Sequence, residues 1–340
     1  MPAPALSANP QPVLELLTAF RRSKTMFAAV KLGVFDALGD GPASLETLTT
    51  RLGLHASALP RFLNALVGMG LLEHRGEDYV NSPAAEAFLT SRSPQRLTGY
   101  LNFSNRLGWK LWEHLEESLQ SGTHVWSETF GGDQAIFSHF YRDESDKYEF
   151  LMGMHGFGLI SSPHVVAAFD LSRFKKLVDL GGATGHLTMA ACQRYPELTG
   201  CVFDLPEATP LARQMIAASP VADRVSVQDG DFFQDELPSA DLYALGRIIH
   251  DWSEEKSHRL LQKIHTALPT GGALLIAEKL LQEDHLGPDW AQMQDLNMLV
   301  CTEGRERTLS EYRKLLTSAG FSQVTGQVTT SPADAILAVK

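Results

Sequence analysis

The chain has 340 residues, of which 44% are hydrophobic and 20% charged, and its formal net charge is -11. This length favours two domains with a full core, and the acidic balance argues against a nucleic-acid partner. The sequence shows no membrane span and no signal peptide, and its three cysteines lack metal-type spacing, which predicts a reduced, cytoplasmic protein.

The first part of the chain predicts a winged helix. Residues 1–10 are rich in Pro, Ala and Ser and are predicted to be disordered. Residues 13–38 repeat apolar side chains every three or four positions, which indicates two helices. Two further helical patterns follow, then "EHRGEDYVNSP", a charged turn with a short strand on either side, and a helix near "AAEAFL". We assign residues 11–96 to this domain.

The charge of this domain argues against DNA binding. Residues 1–95 contain eight Lys or Arg and eight Asp or Glu, and the segment 56–69, where a recognition helix would lie, has Arg61 as its one basic residue. Neutralisation of phosphates dominates DNA affinity, and a neutral face does not supply it. The apolar helices are more consistent with a subunit interface than with DNA binding.

The rest of the chain predicts an α/β domain. Residues 97–168 are aromatic-rich and mostly helical, a connector between the two domains. From residue 169 to 340, helical stretches separate the buried runs "KLVDLGG", "LTGCVFDLP", "RVSVQDGD", "DLYALGRIIHDW" and "GGALLIAEKL". This alternation is typical of a parallel doubly wound sheet, and "SQVTGQVT" and "DAILAVK" predict a terminal antiparallel pair.

Functional residues are predicted at the carboxyl ends of the strands, where open α/β sheets bind ligands. In "LVDLGGATGHLT" the glycines, including Gly181, allow close backbone approach to a ligand, although the loop lacks the G-x-G-x-x-G dinucleotide pattern and also suits a tight strand–helix connection. Asp204 in "VFDLP" is placed to accept both hydroxyls of a ribose or to cap a helix. In "QDGDFF", the Asp231 carboxylate can accept from the amine of an adenine and the Phe232 ring can cover its face, or the aspartate is a turn residue.

The fourth and fifth strands add a candidate base. We predict that His250 ends the fourth strand, with an imidazole able to accept a proton near neutral pH. Glu278 ends the fifth strand, and its carboxylate would orient that imidazole as the acid does in a catalytic triad. The alternative, a histidine at a surface turn, is disfavoured by four consecutive strand ends that carry functional residue types.

The motifs "VDLGGATG", "FDLP", "GDFF", "HDW", "AEKLL" and "LNMLVCTEGRERT" together resemble the S-adenosylmethionine-dependent small-molecule O-methyltransferases of the plant caffeate and animal acetylserotonin type, over residues 13–340. The resemblance implies a Rossmann-like class I methyltransferase domain after a winged-helix dimerisation domain. It also implies a homodimer, no metal, S-adenosylmethionine as cofactor and a small hydroxylated aromatic acceptor.

The resemblance carries roles to individual residues. It implies His250 as general base with Asp251, Glu278 and Glu306 around it. The implied cofactor contacts are Tyr141, Gly181, Asp204, Asp231, Phe232 and Arg247. The implied lining of the acceptor pocket is Asn297 and Met298, together with Met154 and Phe157 of "FLMGMHGFG", which helix-core packing explains equally well.

Three positions depart from the family pattern. Ala183 replaces a common glycine, Gly158 stands where acetylserotonin methyltransferases can place a cofactor-side tryptophan, and Cys301 stands in place of a glutamine. The last two leave the acceptor open among indoles, simple phenols and polyketide aromatics. Two other classes remain as alternatives: a nicotinamide-dependent oxidoreductase, and a catalytically silent regulatory protein with the same fold.

Overall fold

The computed structural model describes residues 8–127, 140–141 and 143–340, which form two compact units that meet in sequence between Asn105 and Arg106. The domain boundaries given above stay predictions. No helix in the described part of the chain has the length and apolar character needed to cross a membrane.

The first unit has the element order predicted for a winged helix. Its elements are α1 (Gln11–Lys31), α2 (Val34–Ala37), α3 (Leu45–Leu52), α4 (Leu59–Gly68), β1 (Leu72–Arg75), β2 (Asp78–Asn81), α5 (Pro83–Phe88) and α6 (Thr98–Phe103). The two strands pair antiparallel, with Leu72 opposite Asn81. Helix α3 begins where the Ser44 hydroxyl accepts the Thr47 N–H at 3.2 Å, as an N-cap does.

The second unit begins with helices and continues as an α/β sheet. After a π-helical turn (Ser104–Gly108), its helices are α7 (Trp109–Trp112), α8 (Leu115–Ser121), α9 (Glu144–Ala167), α10 (His186–Arg194), α11 (Thr209–Ala217), α12 (Glu254–Ala267), α13 (Asp289–Cys301) and α14 (Leu309–Ser318). Its strands are β3 (Lys176–Leu180), β4 (Thr199–Asp204), β5 (Val225–Asp229), β6 (Leu242–Gly246), β7 (Ala273–Glu278), β8 (Leu280–Leu281), β9 (Arg307–Thr308), β10 (Gln323–Gln327) and β11 (Asp334–Val339).

The main sheet has the strand order β10-β11-β7-β6-β3-β4-β5. The strands from β7 to β5 run parallel, whereas β11 runs antiparallel to β7 and β10 antiparallel to β11. The predicted α/β fold, a mostly parallel doubly wound sheet with an antiparallel last strand, is confirmed. The two-residue strands β8 and β9 form a small separate sheet that the sequence did not predict.

Burial on both faces explains why the strands read as unbroken apolar runs. All six residues of β7 are buried, and apolar side chains of the sheet pack into one hydrophobic cluster on each face. Because β3, β4, β5, β6 and β7 are parallel, their carboxyl ends meet at one edge. The candidate site is built at this edge.

Candidate active site

The glycine-rich loop between β3 and α10 brings three chain segments together. Gly181 has φ +69°, a conformation that glycine adopts without strain. A Cβ at this position would lie 2.6 Å from Cδ1 of Ile248 and 3.3 Å from Cε1 of Phe232. The missing side chain therefore leaves room for both neighbours, and Ile248 is a contact that sequence reasoning missed.

The carboxylate of Asp204 ties the end of β4 to this loop. Its Oδ2 accepts the N–H of Ala183 at 2.7 Å, and its Oδ1 accepts the N–H of Leu205 at 2.7 Å. Burial raises the pKa of Asp204 to about 6, although the two backbone hydrogen bonds oppose the shift. Each oxygen keeps a lone pair, so the fixed carboxylate is able to accept hydroxyls from a ligand.

A second buried carboxylate, Asp179, supports the loop from below. The Thr188 hydroxyl donates to its Oδ2 at 2.9 Å. A Cβ on Gly182 would lie 2.8 Å from the Asp179 Cγ, so the glycine is needed for this packing. Burial raises the pKa of Asp179 to about 7. Sequence reasoning quoted this aspartate in "VDLGG" but gave it no role.

Asp231 shapes the turn after β5. Its Oδ1 accepts the N–H of Phe233 at 2.7 Å, and its own N–H donates to the Asp235 Oδ2 at 2.8 Å. The turn fixes Phe232, whose carbonyl accepts a hydrogen bond from the Lys263 ammonium at 2.9 Å. The Phe232 ring thus lies beside Gly181, as the shared strand edge predicted.

The position of His250 corrects the sequence prediction. Strand β6 ends at Gly246, and His250 lies in a 3-10 turn, Ile249–Asp251, rather than at the strand end. The cause is Arg247, whose φ of +58° turns the chain out of the strand direction. The His250 side chain is buried, so it is not a surface turn histidine.

Two carboxylates flank the His250 imidazole. Nδ1 lies 2.7 Å from Oε1 of the buried Glu306, and Nε2 lies 3.7 Å from Oδ1 of Asp251. Burial lowers the pKa of His250, but the charges of Glu306, Asp251 and Glu278 outweigh it and raise the pKa to about 9. Burial also raises the pKa of Asp251 to about 6.

Glu278 holds the backbone of the turn instead of the imidazole. Its Oε1 accepts the N–H of Ile248 at 3.0 Å and of Ile249 at 2.6 Å, and the Tyr312 hydroxyl donates to Oε2. The expectation that Glu278 orients the ring is therefore corrected, since Glu306 makes that contact. Three residues separate the end of β6 from His250, so the ring does not lie at the end of that strand.

The segment "TEGRERT" packs against the same turn. A Cβ on Gly304 would overlap the carbonyl of His250, so this position requires close backbone approach. The Glu306 N–H donates to Asp295 Oδ1 at 2.8 Å, and the buried Arg307 reaches the Ile249 carbonyl at 3.4 Å. Sequence reasoning missed Gly304, Asp295 and Arg307 as supports of the candidate base.

Helix α9 and its surroundings carry other predicted site residues. The Arg247 guanidinium lies 5.6 Å from the ring centroid of Phe157, and its buried Nε has no hydrogen-bond partner among the described residues. The Phe157 ring lies 6.0 Å from that of Trp290. Burial, then the charge of Asp204, raises the pKa of Tyr141 well above its ordinary value.

Helix α13 supplies the predicted acceptor-side residues. Asn297 Oδ1 accepts the indole N–H of Trp112 at 2.8 Å and lies 3.5 Å from the Cys301 Sγ. Met298 is buried, and Met154 of α9 is half-buried. Trp112 is a further residue that sequence reasoning missed, because its distance of 185 positions from Asn297 left no local signal.

Comparison with known proteins identifies the fold's family. Residues 112–322 match the O-methyltransferase domain, and residues 14–91 match the O-methyltransferase dimerisation domain.

The chain belongs to the O-methyltransferase family.

Relatives agree over the full length of this O-methyltransferase. It is 38% identical to the acetylserotonin O-methyltransferase of Bos taurus over 333 residues, 96% of each chain. It is 38% identical to the Homo sapiens enzyme over 328 residues, covering 94% of this chain and 95% of the relative. The crystal structure of human N-acetylserotonin methyltransferase in complex with SAM matches with a TM-score of 0.93 at 35% identity, covering 100% of this chain and 99% of that one.

The O-methyltransferase uses S-adenosylmethionine as its cofactor, as predicted, and the nicotinamide oxidoreductase alternative falls away. The residues at the sheet edge fit this group. Gly181 has no side chain to block its approach, and the Asp204 carboxylate has lone pairs for ribose hydroxyls. The ring of Phe232 lies beside them, and the Arg247 Nε lacks a partner among the described residues. The contact of each residue with the cofactor stays a prediction.

Proposed function

We propose that this O-methyltransferase methylates the hydroxyl of a hydroxyindole of the N-acetylserotonin type, with His250 as the general base. The observation that carries the proposal is the imidazole held at Nδ1 by the buried Glu306, 2.7 Å away, with Nε2 left for the acceptor. The full-length relatives named acetylserotonin O-methyltransferase support the acceptor class.

In this mechanism the Nδ1–H of His250 donates to Glu306, so the lone pair of Nε2 is available. Bound S-adenosylmethionine supplies an electrophilic methyl group on a positively charged sulfur. The acceptor hydroxyl gives its proton to Nε2 as its oxygen becomes the nucleophile. Glu306 and Asp251 stabilise the imidazolium that forms, and such a base typically contributes about 10²- to 10⁴-fold in rate.

The cofactor side is proposed to use the residues at the ends of β3, β4 and β5. Asp204 would accept the ribose hydroxyls, Asp231 and Phe232 would meet the adenine, and Tyr141 and Arg247 would complete the site. Gly181 would let the backbone approach the methionine part. Two substrates held in the reactive geometry can gain roughly 7 to 11 kcal/mol of barrier reduction.

The amide of Asn297 supports an acceptor with a carbonyl in its side chain. An indole N–H only donates, so the oxygen of Asn297 faces Trp112 and its Nδ2 points the other way. Nδ2 then donates a hydrogen bond to the ligand, and the apolar surfaces of Met298, Phe157 and Met154 pack against it. An acetamide carbonyl accepts this hydrogen bond, whereas the ammonium of free serotonin does not.

We also propose a homodimer formed through the first unit, in a reducing cytoplasm. The dimerisation-domain match supports the first point, and the free, buried cysteines Cys192, Cys201 and Cys301 support the second. No metal and no nucleic acid take part in this proposal.

The direct test is the transfer of labelled methyl from S-adenosylmethionine to N-acetylserotonin and to serotonin, with and without a strong chelator. We expect N-acetylserotonin to be preferred by about tenfold or more in kcat/KM, because serotonin leaves the Asn297 donor unpaired. We expect the chelator to have no effect. Cofactor binding without turnover of either indole would refute the acceptor class, and preference for serotonin would refute the role of Asn297.

A matched variant isolates the orientation of Asn297. Trp112→Phe removes the indole donor and keeps an aromatic ring, so the amide is free to flip and the preference for N-acetylserotonin should fall. A preference that survives Trp112→Phe unchanged would contradict the argument.

A further inference from the structure

His186 lies beside the glycine-rich loop and takes no part in the proposed proton transfer. It is the first residue of α10, directly after Gly185. Its ring packs against α9, where a Cβ on Gly158 would overlap it. The absence of a side chain at position 158 therefore makes room for this imidazole.

One ring nitrogen of His186 is occupied and the other is not. The Ser162 hydroxyl lies 2.9 Å from Nδ1, and the described residues offer that hydroxyl no other acceptor. Ser162 therefore donates to Nδ1, which puts the ring hydrogen on Nε2. Nε2 has no hydrogen-bond partner within the described ranges, so its N–H is available to a ligand.

The surroundings keep this donor uncharged. Burial, and after it the charges of His155 and Arg247, lower the pKa of His186 to about 3. The ring centroid of His155 lies 6.5 Å away, and its Nδ1 lies 2.8 Å from the Thr184 hydroxyl in the loop. His186 is thus a neutral N–H donor between the loop and Arg247.

We propose that His186 binds the amino-acid end of S-adenosylmethionine, with Nε2–H donating to its carboxylate. Asp204 and Phe232 lie on the β4 and β5 side and suit the adenosine end, which leaves the α9 side, where His186 and Arg247 lie, for the opposite end. A neutral donor binds the carboxylate without repelling the adjacent ammonium and sulfonium charges. The inference rests on the proposed placement of the cofactor and is independent of the acceptor.

Calorimetry with two ligands tests the contact without turnover. S-adenosylhomocysteine carries the amino-acid end, and 5′-methylthioadenosine lacks it. His186→Ala should weaken S-adenosylhomocysteine binding roughly tenfold to a hundredfold, the usual effect of a lost hydrogen bond to a charged group, and leave 5′-methylthioadenosine within about twofold. His164 is an exposed histidine on α9, and His164→Ala should leave the affinity for both ligands unchanged.

Asp204→Asn separates failure of this inference from failure of the cofactor placement. Both ligands carry a ribose, so this variant should weaken both. If Asp204→Asn leaves both unchanged, the placement is wrong. If Asp204→Asn weakens both while His186→Ala weakens neither, or weakens both equally, the proposed carboxylate contact is wrong.

Gly158→Ala approaches the same ring from α9. Its Cβ would displace the imidazole, so we expect a weakening of S-adenosylhomocysteine binding close to that of His186→Ala. The double variant should be no worse than His186→Ala alone, because the displaced ring is already absent. Additive losses would overturn the argument, and thermal midpoints without ligand check that each variant folds.

Discussion

The imidazole of His250 is held at one nitrogen and open at the other. Glu306 contacts Nδ1, while Nε2 lies 3.7 Å from Asp251, beyond hydrogen-bond distance. The charges of these two carboxylates and of Glu278 raise the pKa of His250 to about 9 against the opposing effect of burial. A histidine with this pKa is a strong base that is mostly protonated at neutral pH.

The first prediction concerns pH. The base is active when neutral, so kcat/KM should rise with pH until His250 loses its proton near pH 9. Glu306→Gln removes the charge beside Nδ1 and thereby lowers the pKa of His250. We expect the rising limb to move to lower pH by about one unit or more, with a lower plateau because a weaker base takes the proton.

Glu303→Gln is the matched control for this profile. Glu303 lies three residues away and pairs with Lys256 at 2.6 Å instead of His250. Its profile should superimpose on that of the unmodified enzyme. An unshifted limb in Glu306→Gln would show that His250 is not the group that titrates.

The residue types of the site could be predicted, whereas their partners could not. Asp204 ends a strand that periodicity identifies, and Phe232 and His250 follow the ends of two further such strands within four residues. The resemblance implies that Glu278 and Glu306 surround His250, but the sequence does not show that Glu306, 56 positions away, contacts the ring while Glu278 holds the backbone. That assignment depends on the turn conformation, which Arg247 sets through a positive φ.

At the scale of elements, the glycine-rich loop contains one unfavourable residue. Ala183 has φ +49°, in the left-handed region that glycine occupies freely. Its N–H donates to Asp204, so the loop keeps this conformation despite the side chain. The departure from the family pattern therefore preserves the backbone and costs stability.

The second prediction follows from this conformation. Ala183→Gly should raise the free energy of unfolding by about 0.5 to 1 kcal/mol, because relief of the left-handed strain exceeds the added chain entropy. Chemical denaturation measures the change. Ala190→Gly, inside α10, should instead lower stability by about 1 kcal/mol. A destabilised Ala183→Gly would contradict the strain argument.

Most elements could be predicted from patterns, and the exceptions are short. The buried runs of β3 to β7 and the terminal antiparallel pair match the structure because each run is bounded by turn residues or helical patterns. The pair β8–β9 has two residues per strand and leaves no periodicity to detect. Residues 128–139 of the predicted helical connector lie outside the described residues.

At the scale of the whole molecule, α1 carries apolar side chains that the described part of the chain leaves exposed. Val13, Leu14, Leu16, Leu17 and Phe20 are all exposed, between 49% and 76%. Contiguous exposed apolar residues mark an interaction surface, and all of these except Val13 fall inside the match to the family's dimerisation domain, residues 14–91. A second copy of the chain is the partner we propose.

The third prediction tests this surface. Leu16→Glu should weaken dimer formation by about tenfold or more, since burial of a leucine side chain contributes about 1.5 to 3 kcal/mol. Analytical ultracentrifugation over a concentration series measures the dissociation constant. Val328→Glu places the same change at an exposed apolar residue of the second unit and should leave the dimer intact. A monomeric unmodified chain would contradict the proposal.

The most direct test of the account is the single-turnover rate of His250→Ala with saturating S-adenosylmethionine and N-acetylserotonin. We predict a loss of about 10²- to 10⁴-fold in the methyl-transfer rate, with S-adenosylhomocysteine affinity unchanged within about twofold, because the imidazole acts on the acceptor proton. A loss smaller than about tenfold, with cofactor still bound, would remove His250 from the role of general base.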